Sequence, residues 1–366
     1  MADNQKISFS FQVGAVGESG VSDEQMYRDA IEDAKLGQSL GFEAAWVIEH
    51  HFTDYFPTPN PVTLLSYIAA ACPDLDLGTC VLVLPWYNPL RLAEELAMLQ
   101  AMSGANLHIG MGRGVAKLEY DAFGVNMSEA RERFREAYEI IQLALKGEPF
   151  SYRGDYLNVD RTVTARPRLN DKKPNFYGAI GSASSAEIMA DIGLPPIAIG
   201  QFPGKVLAAI QNNWNKRAEE IGLSTDVTRP ILLQCYIGDT DEEARDEALK
   251  YLPAYFRTQV EHYQGDMTNW SDITGYEQFE RTFANLKKLA NPDNLDGFLD
   301  FNICGGPDKV EQRIREFMDI GFNHIIVTNS TPDVPKHVRH RMLQRFSAEI
   351  MPRFEGQMAK QPSPAA

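Results

Sequence analysis

Short apolar runs alternate along this chain with longer stretches in which apolar residues recur at helical spacing. Ile7 to Val16 reads as a first strand. Ser22 and Gln25 have the form of a capping box, and Met26, Ala30, Ala34 and Gly37 follow at helical spacing until Gly41 stops the helix. A second strand is read at Ala44 to Ile48 and a third, β-branched, at Asp76 to Leu84. Leu92, Leu96, Leu99 and Met102 mark the helix after it. Leu107 to Gly112 is the fourth strand, and Ser128 is expected to cap a long helix reaching Leu145. Pro174 to Ile180, Pro196 to Gly200, Pro230 to Ile237 and His324 to Asn329 supply strands five to eight, with a helix from Lys309 to Met318 before the last.

Eight strand–helix units predict an α/β chain folded as one (β/α)8 TIM barrel. Two stretches fall outside the unit. Phe150 to Val159 reads as a hairpin turning at Gly154-Asp155. Tyr263 to Asp300 is a long mixed insertion after strand seven, of the kind that serves as a lid. No repeat or linker interrupts the pattern, so residues 1–366 are expected to form one domain, with a disordered tail at 358–366.

Composition narrows the class. The chain is 44% hydrophobic and 23% charged, enough for one large core. Its net charge of −15 repels phosphate backbones and anionic lipid, so neither nucleic acid nor a membrane is an expected partner. No apolar run approaches the roughly 18 residues of a membrane span. Cys72, Cys80, Cys235 and Cys304 show no C-x-x-C spacing. They read as reduced thiols, which fits a cytoplasmic protein, and the segment MADNQKISFS has no signal-peptide pattern.

Barrel chemistry concentrates at the C-terminal strand ends. Strand two ends in Glu49, His50, His51 and Phe52. Adjacent histidines on an extended chain diverge and chelate poorly, and no H-E-x-x-H or Cys-His cluster is present, so no metal is expected. One histidine here suits a general base, and equally a loop residue bonded to backbone. After strand three, Trp86 and Tyr87 either wall a pocket or cover the rim. After strand four, Arg113 lies among Gly110, Gly112 and Gly114, where it either receives an anion or joins a structural ion pair. Gly181, Ser182, Ala183, Ser184 and Ser185 after strand five form either an anion site or a plain N-cap. Gly305-Gly306-Pro307-Asp308 is a second anion candidate, and the pattern does not choose between the two.

WVIEHHFTDYF, LGTCVLVLP, IGMGRG, FYGAIGSASSAE, GLPP and MPRF, in that order, resemble the luciferase-like monooxygenase family, specifically the bacterial luciferase α-subunit type. The likeness covers nearly the whole chain. It implies reduced FMN bound across the open barrel end, where O2 gives a C4a-peroxyflavin. It implies a catalytic role for His50, a flavin-phosphate contact for Arg113, and hydroxyl partners in Ser182 and Ser185. It places a non-proline cis peptide at Cys80-Val81 beneath the flavin, a backbone contact at Val115, and a mobile lid at 263–300. Two positions depart. Gly112 stands where the α-subunit has cysteine, and Gly181 where it has glutamate. Both bear on light emission and leave flavin binding undisturbed.

The expected function is therefore that of a two-component monooxygenase. Reduced FMN would come from a separate NAD(P)H-dependent flavin reductase, because no nicotinamide-binding domain is evident. Phe52, Trp86 and Tyr87, with Tyr55 and Phe56, point to a small apolar organic substrate, and a homodimer is the expected assembly. The alternatives are a deazaflavin-dependent oxidoreductase of the same fold, a non-catalytic flavin-binding protein, and an unrelated barrel hydrolase or lyase.

Overall fold

The computed structural model describes residues 6–264, 268–277 and 279–359. In chain order its elements are β1 (Ser8–Val13), α1 (Asp23–Ser39), β2 (Ala44–Val47), α2 (Pro61–Ala71), β3 (Asp76–Val83), α3 (Pro89–Ser103), β4 (Leu107–Gly112), α4 (Lys117–Phe123) and α5 (Ala130–Leu145). A hairpin of β5 (Phe150–Arg153) and β6 (Asn158–Val163) follows, then β7 (Asn175–Ala179), α6 (Ala183–Asp191), β8 (Pro196–Ile199), α7 (Gly204–Glu220) and β9 (Pro230–Ile237). The chain continues through α8 (Asp241–Tyr263), α9 (Phe279–Leu289), α10 (Asp296–Leu299), β10 (Ile303–Gly305), α11 (Pro307–Ile320), β11 (His324–Thr328) and α12 (Lys336–Arg345).

Strands β9, β11, β1, β2, β3, β4, β7 and β8 pair in parallel in that order, and β8 pairs back to β9. This closes an eight-stranded TIM barrel. The three-residue β10 adds to the far end of β9, pairing Ile303 with Cys235. Both faces of each barrel strand are buried, which is why the strands read as continuous apolar runs. In β2, Ala44 and Trp46 face the barrel interior, whereas Ala45 and Val47 face the helices. The large Trp46 ring fits because β3 has Gly78 opposite, where a Cβ would lie 2.3 Å from the indole. His108, His324 and Tyr177 pack around that indole and fill the barrel's lower half.

Several local expectations change. Ser22 caps α1, but the Gln25 side chain bonds Asp29 at 2.8 Å and not the cap backbone. Asn126, not Ser128, caps the turn that leads into α5, and Ser128 Oγ instead accepts the Thr274 amide of the insertion at 3.3 Å. The hairpin's second strand runs on to Val163, past the expected Val159, because Val163 pairs with Phe150, and Glu136 of α5 accepts the turn amides of Asp155, Tyr156 and Leu157. The insertion is folded where it is described. Trp270 stacks on Phe283 at 4.9 Å and Phe298 meets Phe256 of α8 edge to face at 4.9 Å, forming a second apolar cluster over the C-terminal barrel end. Of the expected tail, Met358 bridges Ile7, and residues 360–366 lie outside the described residues.

Candidate functional site

Parallel register brings the glycine-rich strand ends together. β3 and β4 align Val83 with Gly112, and β4 and β7 align Met111 with Gly178. Arg113 and Ser182 therefore follow the ends of neighbouring strands. Missing side chains permit the close approach. A Cβ on Gly112 would lie 2.7 Å from Val81, and one on Gly114, whose φ is +74°, would lie 2.6 Å from Val83. The Cys80–Val81 peptide is cis. Burial pushes the Cys80 thiol well above its ordinary range, which makes it a poor nucleophile. Val115 packs against the aromatic cluster above the barrel.

Among the described residues, Arg113 makes no ion pair. Its guanidinium lies over the Tyr276 ring, 4.8 Å from the centroid, and Tyr276 donates its hydroxyl to the Gly114 carbonyl at 2.9 Å. The insertion is thus fastened directly to the strand-four loop. Arg131 stands beside Arg113: a Cβ on Gly275 would lie 3.4 Å from one guanidinium and 3.6 Å from the other. Sequence reasoning did not single out Arg131. A signal existed, since Arg131 lies in the first turn of α5, where the helix dipole opposes a cation.

On the neighbouring strand end, Ser182 caps α6, accepting the Ser185 amide at 3.1 Å. Ser185 Oγ accepts the amides of Gly181 and Ser182 at 3.1 and 3.0 Å. Neither arginine has a carboxylate within ion-pair distance among the described residues, although the exposed Glu277 carboxylate, which accepts the Gly275 amide at 3.0 Å, is held down in part by both; two such cations and a hydroxyl-rich helix N-terminus suit a phosphate dianion. The rival site is already filled from within. Gly306 donates its amide to Asp241 Oδ1 at 2.8 Å, and Lys309 stands 3.9 Å from the same carboxylate. The start of α11 therefore holds the protein's own anion.

His50 sits in a different constellation from its neighbour. Its ring packs against Tyr55, His262 and Tyr263, with centroids 4.7, 4.6 and 5.7 Å away. Its Nδ1 lies 3.5 Å from Glu119 Oε1, an oxygen that also stands 3.4 Å from His262 Nε2 and accepts the His51 amide at 2.7 Å. Burial drives the His50 imidazole down to about 4 against the opposing pull of Glu119. Burial raises the Glu119 carboxyl, but hydrogen bonds from His262 and His50 outweigh it and bring it to about 2. The cluster at neutral pH is a neutral His50 imidazole facing a carboxylate. Neither Glu119 nor His262 carries a motif, and sequence reasoning missed both.

His51 instead bonds Glu49 Oε1 at 3.1 Å. Glu49 also accepts the Trp86 indole N–H and the Val83 amide, both at 2.9 Å. Burial and the facing Glu49 carboxylate push the Tyr87 phenol well above its ordinary range. Trp86 stacks on Phe123, which meets Phe52. Phe52 is 58% exposed and joins the Trp86 group through Phe123. Trp86 and Tyr87 gather around Glu49, whereas Tyr55, Phe56 and Tyr263 pack on His50, with Tyr255 behind Tyr55 and Phe56. Gln234 Oε1 on β9, level with Thr328 at the end of β11, and Asn329 Oδ1 and Ser330 Oγ just past that end are buried without hydrogen-bond partners among the described residues.

Comparisons with known proteins agree with this architecture. The uncharacterized protein y4vJ of Sinorhizobium fredii is 34% identical over 164 residues, which is 45% of this chain and about half (47%) of that protein's length. The oxygenase component of the flavin-dependent trigonelline monooxygenase of Acinetobacter baylyi is 25% identical over 346 residues, covering 90% of this chain and 91% of that protein. Among solved structures, monooxygenase RslO1 from Streptomyces bottropensis superposes with a TM-score of 0.79 at 23% identity, covering 95% of this chain and 100% of that one. The oxygenating constituent of 3,6-diketocamphane monooxygenase from Pseudomonas putida, in complex with FMN, gives 0.75 at 18% over 95% and 99%. An F420-dependent secondary alcohol dehydrogenase gives 0.73 at 17% over 94% and 98%. The model of one family, luciferase-like monooxygenase, matches residues 7–324, and the chain belongs to that family.

Proposed function

We propose that this chain is the oxygenase component of a two-component flavin-dependent monooxygenase. It takes reduced FMN from a separate NAD(P)H-dependent reductase and oxygenates a small apolar organic substrate. The observation that carries the reading is Arg113, which makes no ion pair among the described residues and follows the strand next to the one leading into the Ser182–Ser185 turn, with Arg131 beside it. A phosphate dianion satisfies that set. The donor chemistry fits FMN, because buried unpartnered polar atoms of Gln234, Asn329 and Ser330 wait at the same barrel end for a polar ring system.

In this reading Arg113, Arg131, Ser182 and Ser185 hold the phosphate, and Gly112, Val115 and the Cys80-Val81 backbone border the ring. Bound reduced flavin supplies the electrons that activate O2. The chain's own residues do the rest. Tyr276 and the insertion exclude water from the mouth. His50, neutral at working pH, moves a proton at its exposed nitrogen. The phenols of Tyr55 and Tyr263 pack on it, with Tyr255 behind Tyr55, and burial holds all three protonated. That lining of rings suits a substrate with apolar surface. The trigonelline and 3,6-diketocamphane oxygenases support the two-component arrangement and the choice of FMN.

The test supplies pre-reduced FMN anaerobically, then 18O2 with a panel of small cyclic ketones, aldehydes and aromatic rings. One 18O atom in a product is the expected result. Reduction of a carbonyl or oxidation of an alcohol with F420, without 18O in any product, would replace this reading with the deazaflavin one.

A further inference from the structure

Two buried imidazole nitrogens face one carboxylate oxygen. His50 Nδ1 and His262 Nε2 have no other hydrogen-bond partner among the described residues, and Glu119 Oε1 lies 3.5 and 3.4 Å from them. The three side chains come from separate elements: the loop after β2, helix α4 and the last turn of α8. The other His262 nitrogen, Nδ1, meets Thr53 Oγ1 at 2.7 Å. The Thr53 hydroxyl accepts the Tyr55 amide at 3.3 Å, which leaves its own proton free for Nδ1. His262 then carries its ring proton on Nε2, pointing at Glu119. An ionised carboxylate requires donors, so His50 carries its proton on Nδ1 for the same reason. Oε1 already takes the short His51 amide bond at 2.7 Å. It cannot also hold both imidazoles at full strength, and both distances are long.

We infer that Glu119 and His262 are positioning residues for His50: Glu119 fixes the Nδ1–H tautomer and leaves Nε2 as the reactive nitrogen, while His262 competes for the same carboxylate oxygen. The inference rests on the reading of His50 as the acid/base residue. It gives the reaction a control point. When Nε2 takes a proton, Glu119 stabilises the resulting imidazolium, as the carboxylate partner does in other carboxylate–imidazole pairs. His262 draws on the same oxygen and weakens that support. His262 lies one residue from the end of α8, at the threshold of the insertion. The groups facing the His50 ring are His51 and Tyr55 from its own loop, Glu119 from α4, and His262 and Tyr263 from α8. Glu119 is the one carboxylate among them.

The two partners pull in opposite directions, and packing alone does not reproduce that. The experiment follows single-turnover oxygenation with pre-reduced FMN across pH, after pH jumps, in wild type, E119Q, E119D and H262N. An opposite charge at this range moves a pKa by about 1–3 units, so E119Q should shift the acid limb downward and slow the neutral-pH rate by about tenfold or more. H262N should shift the acid limb upward. E119D, which keeps the charge, should recover part of the E119Q loss. The FMN dissociation constant should stay within about twofold of wild type throughout, which also reports that the variants fold. Limbs that stay in place, or move the same way in both variants, would overturn the inference. A stoichiometric divalent metal in the purified protein, removed by chelator and absent from H262N, would also overturn it, since the cluster would then be a metal site. Full activity in His50→Ala would remove the underlying reading instead, and the two failures are distinguishable.

Discussion

Replacing Arg113 by alanine should weaken FMN binding through the phosphate and not through the ring. The guanidinium has no ion pair among the described residues, so its hydrogen-bonding capacity is available to a ligand. A hydrogen bond to a charged group contributes about 1.5–3 kcal/mol, and at about 1.4 kcal/mol per decade this is a loss of roughly 10- to 150-fold in affinity. Arg131 remains beside the vacated position, so binding should weaken and not vanish. Arg113 also lies over Tyr276 at 4.8 Å, a cation–π contact of about 0.5–1 kcal/mol that any flavin would feel through the insertion. Riboflavin, which lacks the phosphate, isolates that part and should weaken by no more than about fivefold. Arg113→Lys keeps the charge, loses the planar fork and should fall between. Anaerobic titration of reduced FMN and reduced riboflavin by fluorescence gives both constants. Equal losses for the two flavins, or no loss for FMN, would refute the phosphate assignment.

Further perturbations probe the rest of the site. His50→Ala should lose about 10²–10⁴ in single-turnover oxygenation with FMN affinity little changed, whereas His51→Ala should retain more activity and instead lose about 1–3 kcal/mol of stability, because it strips a partner from buried Glu49; equal activity in the two variants counts against the assignment. Tyr276→Phe removes the bond to the Gly114 carbonyl and should lower the ratio of product formed to flavin oxidised, with the balance released as hydrogen peroxide; unchanged coupling would argue that the insertion does not seal the mouth. His50 is depressed to about 4, below its unfolded value near 6.5, so its contribution to stability is complete above pH 6.5 and is lost as pH falls toward 4. Glu119, lowered to about 2, loses its contribution over the range below about 4.5. The melting temperature should therefore fall between pH 7 and 5, and fall less steeply in His50→Ala; parallel profiles would refute the burial argument.

The barrel was legible because its eight strands are buried on both faces and short helical units separate them. What escaped has physical reasons. Helix α2 is apolar nearly all round, so no stripe marks it, and the three residues of β10 are too few to show a period. Ser128 and Asn126 are both good caps, and only the fold shows that Ser128 serves the insertion. At the site, residues at strand ends were readable because barrel geometry says where to look. Glu119, Arg131 and His262 lie on helices, 69 to 212 residues from His50 along the chain, and reach it or Arg113 only through folding. Phe52 has a positive φ of 67° and meets Trp86 through Phe123, a local conformation and a link that composition does not announce. Folding of the insertion also changes how its role is tested. Trp270, Phe283, Leu295 and Phe298 are buried in the cluster above the barrel, so deleting residues 263–300 would expose core, and the single Tyr276 variant is the cleaner probe.

The central claim is that this barrel end binds a reduced flavin phosphate and turns it toward O2. The most direct measurement is a paired anaerobic titration of reduced FMN and reduced F420, followed by rapid mixing of each complex with O2. The account predicts that FMN binds with the higher affinity, that Arg113→Ala erodes this preference, and that the FMN complex consumes O2 faster when a substrate is present. Tighter binding of F420, with an FMN complex whose oxidation no substrate accelerates, would contradict it.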